Sequence, residues 1–468
     1  MKALKCLMLA SAADCLVHHF PTSLSTGRFQ SKLKMVAMPE TIQLASDEAA
    51  KQTKVEKIKL ESGALREPLR TEMQNDEIFV TQEGYQVLKF HGSYMQDHRD
   101  IRRDLIREKK DKAFSFMLRL KVPCGEVPPE LHRLLDDISN DLGQGDLRAT
   151  TRQAWQLHGV LKGDLSEVIT RIMEVGSSTV GACGDVSRNV MTSPAPKVSK
   201  PYQYAREYAK IMAELFKPQT QAFTELWLGE DKVAKIEYWR KDIDDEKVKK
   251  DAISDNGRGI IVDHPTEPLY GSQYLPKKFK IAVTVPGDNS LDIYINDIGL
   301  VVITDEAEEE LLGFNVMVGG GMGRMHNKDE TFARTASHLG FVGKDDISEV
   351  CKAIIAAQRD YGNREIRSNA RMKYLVHSLG IDGFRALVET YYGKPIEPWR
   401  DMVPWKYSDW MGWHEQGDGK LFLGLNVVQG RLSDTQEVSW KTCLRVLVDK
   451  YELSYVLSPT QSIVLKGI

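Results

Sequence analysis

Two stretches of this 468-residue chain are repeated far apart in the sequence, in the same order and at nearly the same separation. Met117–Val127 (MLRLKVPCGEV) aligns with Phe422–Leu432 (FLGLNVVQGRL), and Leu147–Val160 aligns with Tyr455–Ile468. Both members of each pair alternate apolar and polar residues, as half-buried strands do. Short strands also resemble one another by chance. The order and separation nevertheless predict two strand-rich units that form the two halves of one sheet domain.

The two copies differ in charge. The first copy has three arginines where the second has uncharged residues: Arg119, Arg148 and Arg152 correspond to Gly424, Val456 and Thr460. If the copies pair, one half presents a cationic surface and the other an apolar one. Such a surface suits a large, planar, polyanionic cofactor that lies against the first half.

Further patterns predict a mixture of strands and helices. Phe114–Val122 reads as one strand with Met117, Arg119 and Lys121 on its outer face, and Leu147–Val160 reads as another strand. Apolar residues recur at helical spacing in Pro201–Phe216 and Ile347–Tyr361, and the second of these predicts that Cys351 is a core residue. Phe279, Ile281, Val283 and Val285 alternate with Lys278, Lys280, Ala282 and Thr284, which predicts a strand with both lysines on one of its faces. The fold class is therefore α+β or α/β.

Two charged stretches read as surface features. The run Arg240–Asp251 predicts a solvated insertion loop, and Asp305–Glu310 predicts an acidic turn.

Composition excludes several classes of protein. Hydrophobic residues make up 42% and charged residues 28% of the chain, and the mean hydropathy is −0.36, so an integral membrane protein and a wholly disordered chain are excluded. The net charge of −3 provides no global field for nucleic acid. Six cysteines in this length do not form a secreted disulfide framework.

The N-terminal segment is typical of a targeting sequence. Residues 1–37 contain a single acidic residue, Asp14, together with several lysines, one arginine and a cluster of Ser and Thr. This composition predicts an organellar transit peptide; a bipartite presequence, with Cys6–Ala13 as its apolar part, and an ordinary tail remain alternatives. Residues 38–80 are polar and charged, which predicts a linker or a wrapping arm.

Common catalytic motifs are absent from the sequence. Gly319-Gly-Gly-Met-Gly-Arg324 follows the apolar strand Gly313–Val318 and is expected to let backbone amides approach an anion, but it does not match the dinucleotide fingerprint. The sequence has no phosphate-binding loop with Gly-Lys-Ser/Thr, no Cys-x2-Cys, no zinc-protease motif and no Gly-x-Ser-x-Gly. A lone His158 is more often structural than a ligand. No nucleophile and no protein-bound metal site follows from these patterns.

Several long motifs resemble the ferredoxin-dependent sulfite reductases of plastids and cyanobacteria, in order and nearly without gaps from about Thr81 to Ile468. They are Lys89–Asp100, Leu147–Val160, Gly181–Val190, Tyr274–Lys280, Gly313–Arg324, Asn369–Tyr374 and Gly412–Lys420. The resemblance implies a nitrite/sulfite reductase fold of the α+β (α/β) class. Two ferredoxin-like half-domains, residues 81–175 and 401–468, are then expected to flank a sirohaem-binding α/β domain, residues 176–400.

The resemblance also implies a chemistry: six-electron reduction of sulfite to sulfide in sulfate assimilation, at a sirohaem coupled to a 4Fe–4S cluster. Ferredoxin is the implied electron donor, the chloroplast stroma the implied location and a monomer the implied state. The substrate-side catalytic residues implied by position are Arg119, Arg188, Lys278 and Lys280. The cofactor-binding residues implied in the same way are Arg148, Arg152, His158, Asn189, Asn296, Gly319, Gly320, Gly321 and Arg371.

Two features keep alternatives open. The nitrite reductases of this family resemble the chain but have Asn at the position of Lys280, so a ferredoxin–nitrite reductase is the nearest alternative. The cluster cysteines of the family, a Cys-x5-Cys and a Cys-x3-Cys pair, have no counterpart here. We therefore expect a chain truncated before a C-terminal cluster domain, with no metal ligands of its own. A non-catalytic family member that acts as a binding protein is the third alternative.

Overall fold

The computed structural model of the protein describes residues 52–98, 101–229 and 232–468. The predicted transit peptide, residues 1–37, lies outside the described residues, and so do residues 38–51 of the predicted arm. The rest of that arm contains two helices and packs on the body of the protein through Ile58, Leu65 and Leu69, all of which are buried.

The described chain contains strands and helices throughout its length. The strands are β1 Ser93–Asp97, β2 Phe114–Arg119, β3 Glu126–Val127, β4 Leu147–Ala149, β5 Trp155–Val160, β6 Met191–Thr192, β7 Ile281–Thr284, β8 Ile298–Thr304, β9 Leu311–Val318, β10 Ser337–Gly343, β11 Gly412–Glu415, β12 Leu421–Leu425, β13 Arg431–Leu432, β14 Tyr455–Leu457 and β15 Ile463–Lys466. The helices are α1 Lys54–Glu61, α2 Leu69–Glu72, α3 Gln82–Leu88, α4 Arg102–Arg107, α5 Pro129–Asp141, α6 Leu165–Glu174, α7 Lys200–Leu215, α8 Ala222–Trp227, α9 Asp245–Ile253, α10 Ile347–Tyr361, α11 Met372–Tyr392 and α12 Trp440–Tyr451.

These strands form three five-stranded sheets. The first outer sheet has the order β1-β2-β5-β4-β13, and the second outer sheet has the order β11-β12-β15-β14-β3. The central sheet, β10-β9-β8-β7-β6, is mixed: β6, β7 and β8 run parallel, whereas β8, β9 and β10 are antiparallel. Its strand β7 is buried on both faces, as strands in a parallel region usually are.

The repeat is a structural duplication in which the two halves exchange a strand. The short strand β3 is the end of the repeated stretch Met117–Val127 in the first copy, but it pairs with β14 in the second outer sheet. Its counterpart β13 pairs with β4 in the first outer sheet. Each exchanged strand follows the same tight turn, with a residue in the left-handed region at Cys124 (φ 62°) and at Gln429 (φ 54°). The prediction of two paired, repeated halves is therefore confirmed.

A buried polar chain joins the two halves. Trp155 Nε1 of the first copy donates to the hydroxyl of Tyr455 in the second copy at 2.9 Å, and that hydroxyl lies 2.9 Å from His132 Nδ1. All three side chains are fully buried. Burial lowers the pKa of His132 to about 4, so its ring is neutral. Its Nδ1 can then accept a hydrogen bond from the Tyr455 hydroxyl.

Some predictions about individual elements are wrong. Leu147–Val160 is two strands, β4 and β5, because the chain reverses in a turn closed by the Thr150 amide, which donates to the Ala154 carbonyl at 3.0 Å. Arg240–Asp251 is not a solvated loop, since it contains most of α9, whose Val248 and Ala252 are buried.

The outer face of β2 is also more buried than its alternation predicts. Met117 is 5% exposed and Lys121, just beyond the strand, is 2% exposed. The Lys121 amine is accommodated because it donates to the Ala213 carbonyl at 2.6 Å, at the end of α7. The polar position of Lys121 in the alternating pattern is therefore buried rather than exposed to solvent.

Other predictions are confirmed. The two predicted helices are α7 and α10, Cys351 is fully buried in α10, and Asp305–Glu310 forms the turn between β8 and β9. Among the described residues, no helix combines the length and the apolar character needed to cross a bilayer.

Candidate functional site

A row of polar side chains crosses the first outer sheet. Arg119 on β2 lies opposite Gln156 on β5, and Gln156 lies opposite Arg148 on β4. The exchanged strand extends the row, because Arg431 on β13 lies opposite Arg148. Residues opposite one another in an antiparallel sheet share a face, so one face of this sheet carries three arginines.

Gln156 and Cys183 orient the guanidinium of Arg119. With its amide oxygen toward Arg119, Gln156 accepts from Nε at 3.0 Å and from Nη2 at 2.6 Å. Arg119 Nη1 donates to Cys183 Sγ at 3.1 Å, and the Tyr94 ring lies 5.9 Å away. The half-buried arginine is thus held by neutral groups rather than by a carboxylate.

The loop Gly181–Val190 brings Arg188 to the same region. Its backbone runs beside the segment that contains the predicted lysines, since the Arg188 amide donates to the Phe279 carbonyl at 2.9 Å. Arg188 Nε donates to the Gly184 carbonyl at 2.8 Å. Gly184 has a φ of 83°, and a Cβ there would lie 2.8 Å from the Phe90 ring, so this turn requires glycine.

Lys278 and Lys280 lie in the segment that leads into β7, rather than within a strand as predicted. Both are half-buried, and neither donates a side-chain hydrogen bond within the described ranges. Burial, together with the charges of Arg188 and Arg371, lowers the pKa of Lys278 to about 8. Burial, followed by the charges of Arg152, Arg371 and Lys278, lowers the pKa of Lys280 to about 7.

Four cations thus converge without acidic partners. In the part of the chain that the structure describes, the side chains of Arg119, Arg188, Lys278 and Lys280 form no ion pair within 4.0 Å. Contacts between their segments bring them together: Arg119 Nη1 contacts Cys183 in the loop of Arg188, and the Arg188 amide donates to the carbonyl of Phe279, the residue between the two lysines. Uncompensated cations in a half-buried site favour binding of a small, highly charged anion.

Arg371 is different because its charge is compensated. Its Nη2 contacts both carboxylate oxygens of Asp297 at 3.0 and 2.9 Å, and Asp297 is fully buried. Asp297 Oδ2 also accepts from the Lys280 amide at 2.9 Å. This pair therefore ties the start of α11 to the segment that carries the lysines.

Three predicted cofactor-binding residues have their polar groups engaged inside the protein. Arg152 donates to the Asn189 carbonyl, to Asn296 Oδ1 and to the Ile281 carbonyl, at 2.5 to 2.9 Å. Asn189 and Asn296 bond backbone groups of neighbouring loops and are almost completely buried. These side chains connect the loops of Asn189 and Asn296 to the start of β7.

The glycine loop packs tightly and does not present free amides. The amides of Gly319, Gly320 and Gly321 donate to the carbonyls of Asp297, Asn296 and Arg334 at 2.7 to 3.0 Å. A Cβ on Gly320 would lie 2.1 Å from the Tyr294 carbonyl oxygen. The expectation that these amides approach an anion is therefore wrong, because the loop needs glycine for its own packing.

His158 and Arg148 complete the predicted set. Burial, followed by the charge of Arg148, lowers the pKa of His158 to about 4, so the ring is neutral near pH 7. Its Nε2 lies 3.2 Å from the Gln156 amide. Arg148 Nε pairs with the buried Asp146 at 3.1 Å, and the two Nη nitrogens of Arg148 donate no hydrogen bond within the described residues.

The sequence interpretation missed some cations. Arg431 joins the row only because β13 exchanges between halves, so the repeat was the signal that could have identified it. Lys277 stands directly beside Lys278, and burial with the charge of Arg367 lowers its pKa to about 8. The Lys-Lys-x-Lys run was visible in the sequence, but the sequence analysis considered only Lys278 and Lys280, which share one face of the predicted strand.

The cysteines of the described chain do not form a metal centre. Cys124, Cys183 and Cys351 are buried and Cys443 is exposed, and burial raises the pKa of Cys124 to about 12. No group of three or more His, Cys, Asp or Glu residues within the described ranges is arranged to hold a metal ion. These residues therefore do not fit a 4Fe–4S cluster, which needs several positioned thiolates.

Comparison with known families gives two matches. The nitrite and sulphite reductase 4Fe-4S domain matches residues 183–396, and the nitrite/sulfite reductase ferredoxin-like half domain matches residues 107–175.

Curated relatives are similar along most of the chain. A sulfite reductase (ferredoxin) of Synechococcus elongatus is 50% identical over 419 residues, which are 89% of this chain and 65% of the relative. A sulfite reductase (NADPH) hemoprotein beta-component of Lysinibacillus sphaericus is 36% identical, covering 90% of this chain and 69% of the relative. The chain thus spans about two thirds of the length of such relatives.

A solved structure shares the fold. The NirA protein of Mycobacterium tuberculosis superposes with a TM-score of 0.64 at 21% identity, covering 88% of this chain and 66% of that chain. At this identity the likeness concerns the fold alone.

Proposed function

Because the chain belongs to the nitrite and sulfite reductase family, we propose that it serves the six-electron reduction of sulfite to sulfide, with ferredoxin as electron donor. The observation that carries this proposal is that Arg119, Arg188, Lys278 and Lys280 lie on segments in contact with one another and form no ion pair within 4.0 Å among the described residues. Sulfite is a small dianion, and four cations match its charge better than that of a monoanion.

Each cation has a role that its geometry supports. Arg188 uses only its Nε within the described residues, so its two Nη groups provide a forked donor for sulfite oxygens, and Arg119 provides the N–H groups that Gln156 and Cys183 leave free. Lys278 and Lys280, with pKa values of about 8 and about 7, can give up a proton near neutral pH. Each oxygen that leaves as water needs protons, and an ammonium beside it also stabilises the developing negative charge.

The first outer sheet fits a tetrapyrrole that carries many carboxylates. Arg119, Arg148 and Arg431 share one face of that sheet, and neutral His158 adds a donor. When bound, sirohaem would supply the electrons at its iron, which no side chain can do. We propose that Arg148, His158 and the surface of the Gly319–Gly321 loop hold its rim.

Four other residues act by positioning. The loops around the site are connected by hydrogen bonds of Arg152, Asn189 and Asn296. The segment of the lysines is held by Arg371 through Asp297.

A second candidate function is anion or tetrapyrrole binding without turnover. The observation that favours it is the lack of a suitable thiol cluster among the described residues. No electron-transfer step through a cluster is derived from these residues. Turnover and binding are separated by one comparison: sulfide release from sulfite with reduced ferredoxin, measured beside sulfite binding at equilibrium.

The nitrite alternative is tested at Lys280. Nitrite is a monoanion and sulfite a dianion, so removal of one cation weakens the binding of nitrite less than the binding of sulfite. We expect Lys280→Asn to lower kcat/KM for sulfite about tenfold relative to nitrite. Lys420→Asn, at an exposed position, is the control and should change neither value. Equal changes for both anions would contradict the assignment of Lys280 to substrate charge.

The main experiment expresses a version of the protein that includes the cluster-binding cysteines of the family, with sirohaem synthesis supplied, and compares sulfite with nitrite. Preference for sulfite by about tenfold or more in kcat/KM supports the proposal. Preference for nitrite overturns the substrate, and binding of both anions without turnover favours the binding function.

Location and assembly are part of the same proposal. The basic, hydroxylated composition of residues 1–37 supports import into the chloroplast stroma, and we propose a monomer there. A fluorescent protein fused behind residues 1–60 should accumulate in plastids; accumulation elsewhere would contradict this location. Light scattering of the purified protein measures its assembly.

A further inference from the structure

We propose that Lys59 of helix α1 is a positioning residue: it fixes the loop of Arg188 and the segment of Lys278 relative to each other through Asp185 and the Leu275 carbonyl. The inference rests on the proposed function of that site as an anion-binding centre. It assigns a role to the N-terminal arm that neither the motifs nor the site geometry alone assigns.

The first observation is the burial of a lysine on a short polar helix. Lys59 is 1% exposed, and its ammonium lies 2.6 Å from Glu56 Oε1, 3.5 Å from Asp185 Oδ2 and 2.8 Å from the Leu275 carbonyl oxygen. Burial lowers the pKa of Lys59, but Asp185 and Glu56 oppose that shift. A buried ammonium is retained only where several partners satisfy it.

The second observation concerns the carboxylate that Lys59 meets. Asp185 is 5% exposed and also receives the fork of Arg367, at 2.9 and 3.2 Å. Although burial raises it, the pKa of Asp185 is lowered overall because the charges of Lys59 and Arg367 prevail. The carboxylate therefore stays ionised between cations from two different segments.

The third observation is that Asp185 and Leu275, the partners of Lys59, lie in the two segments that carry the site cations. Asp185 stands three residues before Arg188, and Leu275 stands three residues before Lys278. The Leu275 amide donates to the Asp185 carbonyl at 3.0 Å, the Phe279 amide to the Val186 carbonyl at 3.1 Å and the Arg188 amide to the Phe279 carbonyl at 2.9 Å. Two loop segments thus run side by side, and Lys59 bonds both at the end where they begin.

A second ion pair anchors the arm itself. Glu56 Oε2 pairs with Arg364 at 2.5 Å, and Arg364 also donates to the Tyr274 carbonyl at 2.7 Å. Glu56 and Lys59, one helical turn apart on α1, therefore both connect the arm to this network, and of these two side chains Lys59 is the one that contacts the site loop. A change at Lys59 should loosen the site without removing any group that touches the anion.

The test measures sulfate binding to the full chain by calorimetry, with Lys59→Met as the variant. Two controls match it. Lys57→Met makes the same change on the exposed side of α1, and Lys441→Met removes a different buried lysine, which pairs with Asp136 at 2.9 Å between α12 and α5. We expect about tenfold weaker sulfate binding in Lys59→Met, because loss of a residue that orients binding groups typically costs about that much affinity. Both controls should change affinity by less than about twofold.

A double variant separates positioning from general destabilisation. If Lys59 acts through Asp185, Lys59→Met combined with Asp185→Asn should bind sulfate no more weakly than the weaker-binding single variant. Fully additive losses would overturn the proposal. So would an equal loss of affinity in Lys441→Met, since a purely structural effect would then explain both. If Lys59→Met does not fold, Lys59→Gln carries the same comparisons.

Hydrogen exchange provides a readout that does not depend on the anion. The amides of Leu275, Phe279 and Arg188 should lose about tenfold protection in Lys59→Met, while those of β15 keep theirs. Unchanged protection at the three amides would overturn the inference. If the wild-type chain binds no sulfate, the proposed anion site fails, and exchange alone then decides the role of Lys59.

Discussion

Lys278 and Lys280 show how position in a fold changes the chemistry of a common residue. Both have an unfolded pKa of 10.5, and in the folded chain burial and neighbouring cations lower these values to about 8 and about 7. Protonation therefore opposes folding, and through these two groups the folded chain gains stability as the pH rises from about 7 toward 10.5. An anion has the opposite preference, since it needs both lysines charged.

This opposition gives a prediction about pH. Sulfate stays a dianion from about pH 6.5 to about pH 9, the range that brackets both lysine pKa values, so only the protein titrates. We expect sulfate affinity to fall across this range as first Lys280 and then Lys278 loses its proton. Calorimetry at several pH values measures the profile.

A variant identifies which lysine is responsible for each step. Lys280→Gln should bind sulfate about tenfold more weakly near pH 6.5 and should lose the step near pH 7 while keeping the step near pH 8. Lys420→Gln, at an exposed position, should retain the wild-type profile. An unchanged profile in Lys280→Gln would show that this lysine does not titrate beside the anion.

At the scale of elements, the exchanged strands and the polar chain at Tyr455 join the two halves. The Tyr455 hydroxyl accepts from Trp155 Nε1 and donates to His132 Nδ1, and neither of these buried nitrogens has another hydrogen-bond partner in the part of the chain that the structure describes. The two copies of the repeat are therefore not independent units. Each supplies groups that the other leaves unsatisfied.

We predict that Tyr455→Phe lowers the free energy of unfolding by about 1–3 kcal/mol, because it leaves the Trp155 N–H and the His132 ring nitrogen without partners in the interior. Urea denaturation measures the difference. Tyr451→Phe, which removes a hydroxyl from a side chain 57% exposed, should change stability by less than about 0.5 kcal/mol. Equal effects of the two substitutions would contradict a buried link between the halves.

At the scale of the whole molecule, the cationic site is assembled from three separate regions. The first outer sheet provides Arg119, the loop before the central sheet provides Arg188, and the entry to β7 provides the lysines. Lys59 of the N-terminal arm contacts Asp185 in the loop of Arg188 and so supports this site without belonging to it. The thiols of the described residues are not assembled in this way.

The cysteines give the corresponding prediction. Chemical reconstitution of the 468-residue chain with iron and sulfide should yield well below one 4Fe–4S cluster per chain, because cluster binding needs several thiolates in one place. Acid-labile sulfide and the visible spectrum measure the yield. A stoichiometric cluster would show that the cysteines outside the described residues, or a rearrangement, supply the ligands.

Much of the architecture was predictable from the sequence, because repeats and apolar periodicity are local properties. The alignment of Met117–Val127 with Phe422–Leu432 predicted the paired halves, and helical spacing predicted α10 to the residue. The site cations were identified by resemblance to a family, and their contribution to binding stays a prediction. Periodicity failed where the chain reversed inside Leu147–Val160, because a turn built from ordinary residues leaves no apolar signal.

Sequence alone therefore determined the fold class, the duplication and the asymmetry of charge between the copies, since each depends on residue type and spacing along the chain. Only the tertiary structure decided which charges are compensated. Arg371 forms an ion pair with the buried carboxylate of Asp297, whereas the ammonium of Lys280 forms none within 4.0 Å among the described residues, and Lys59, an ordinary residue in a polar segment, lies against Asp185. Partners distant in sequence set these differences, because the energy of a buried charge depends on what surrounds it in space.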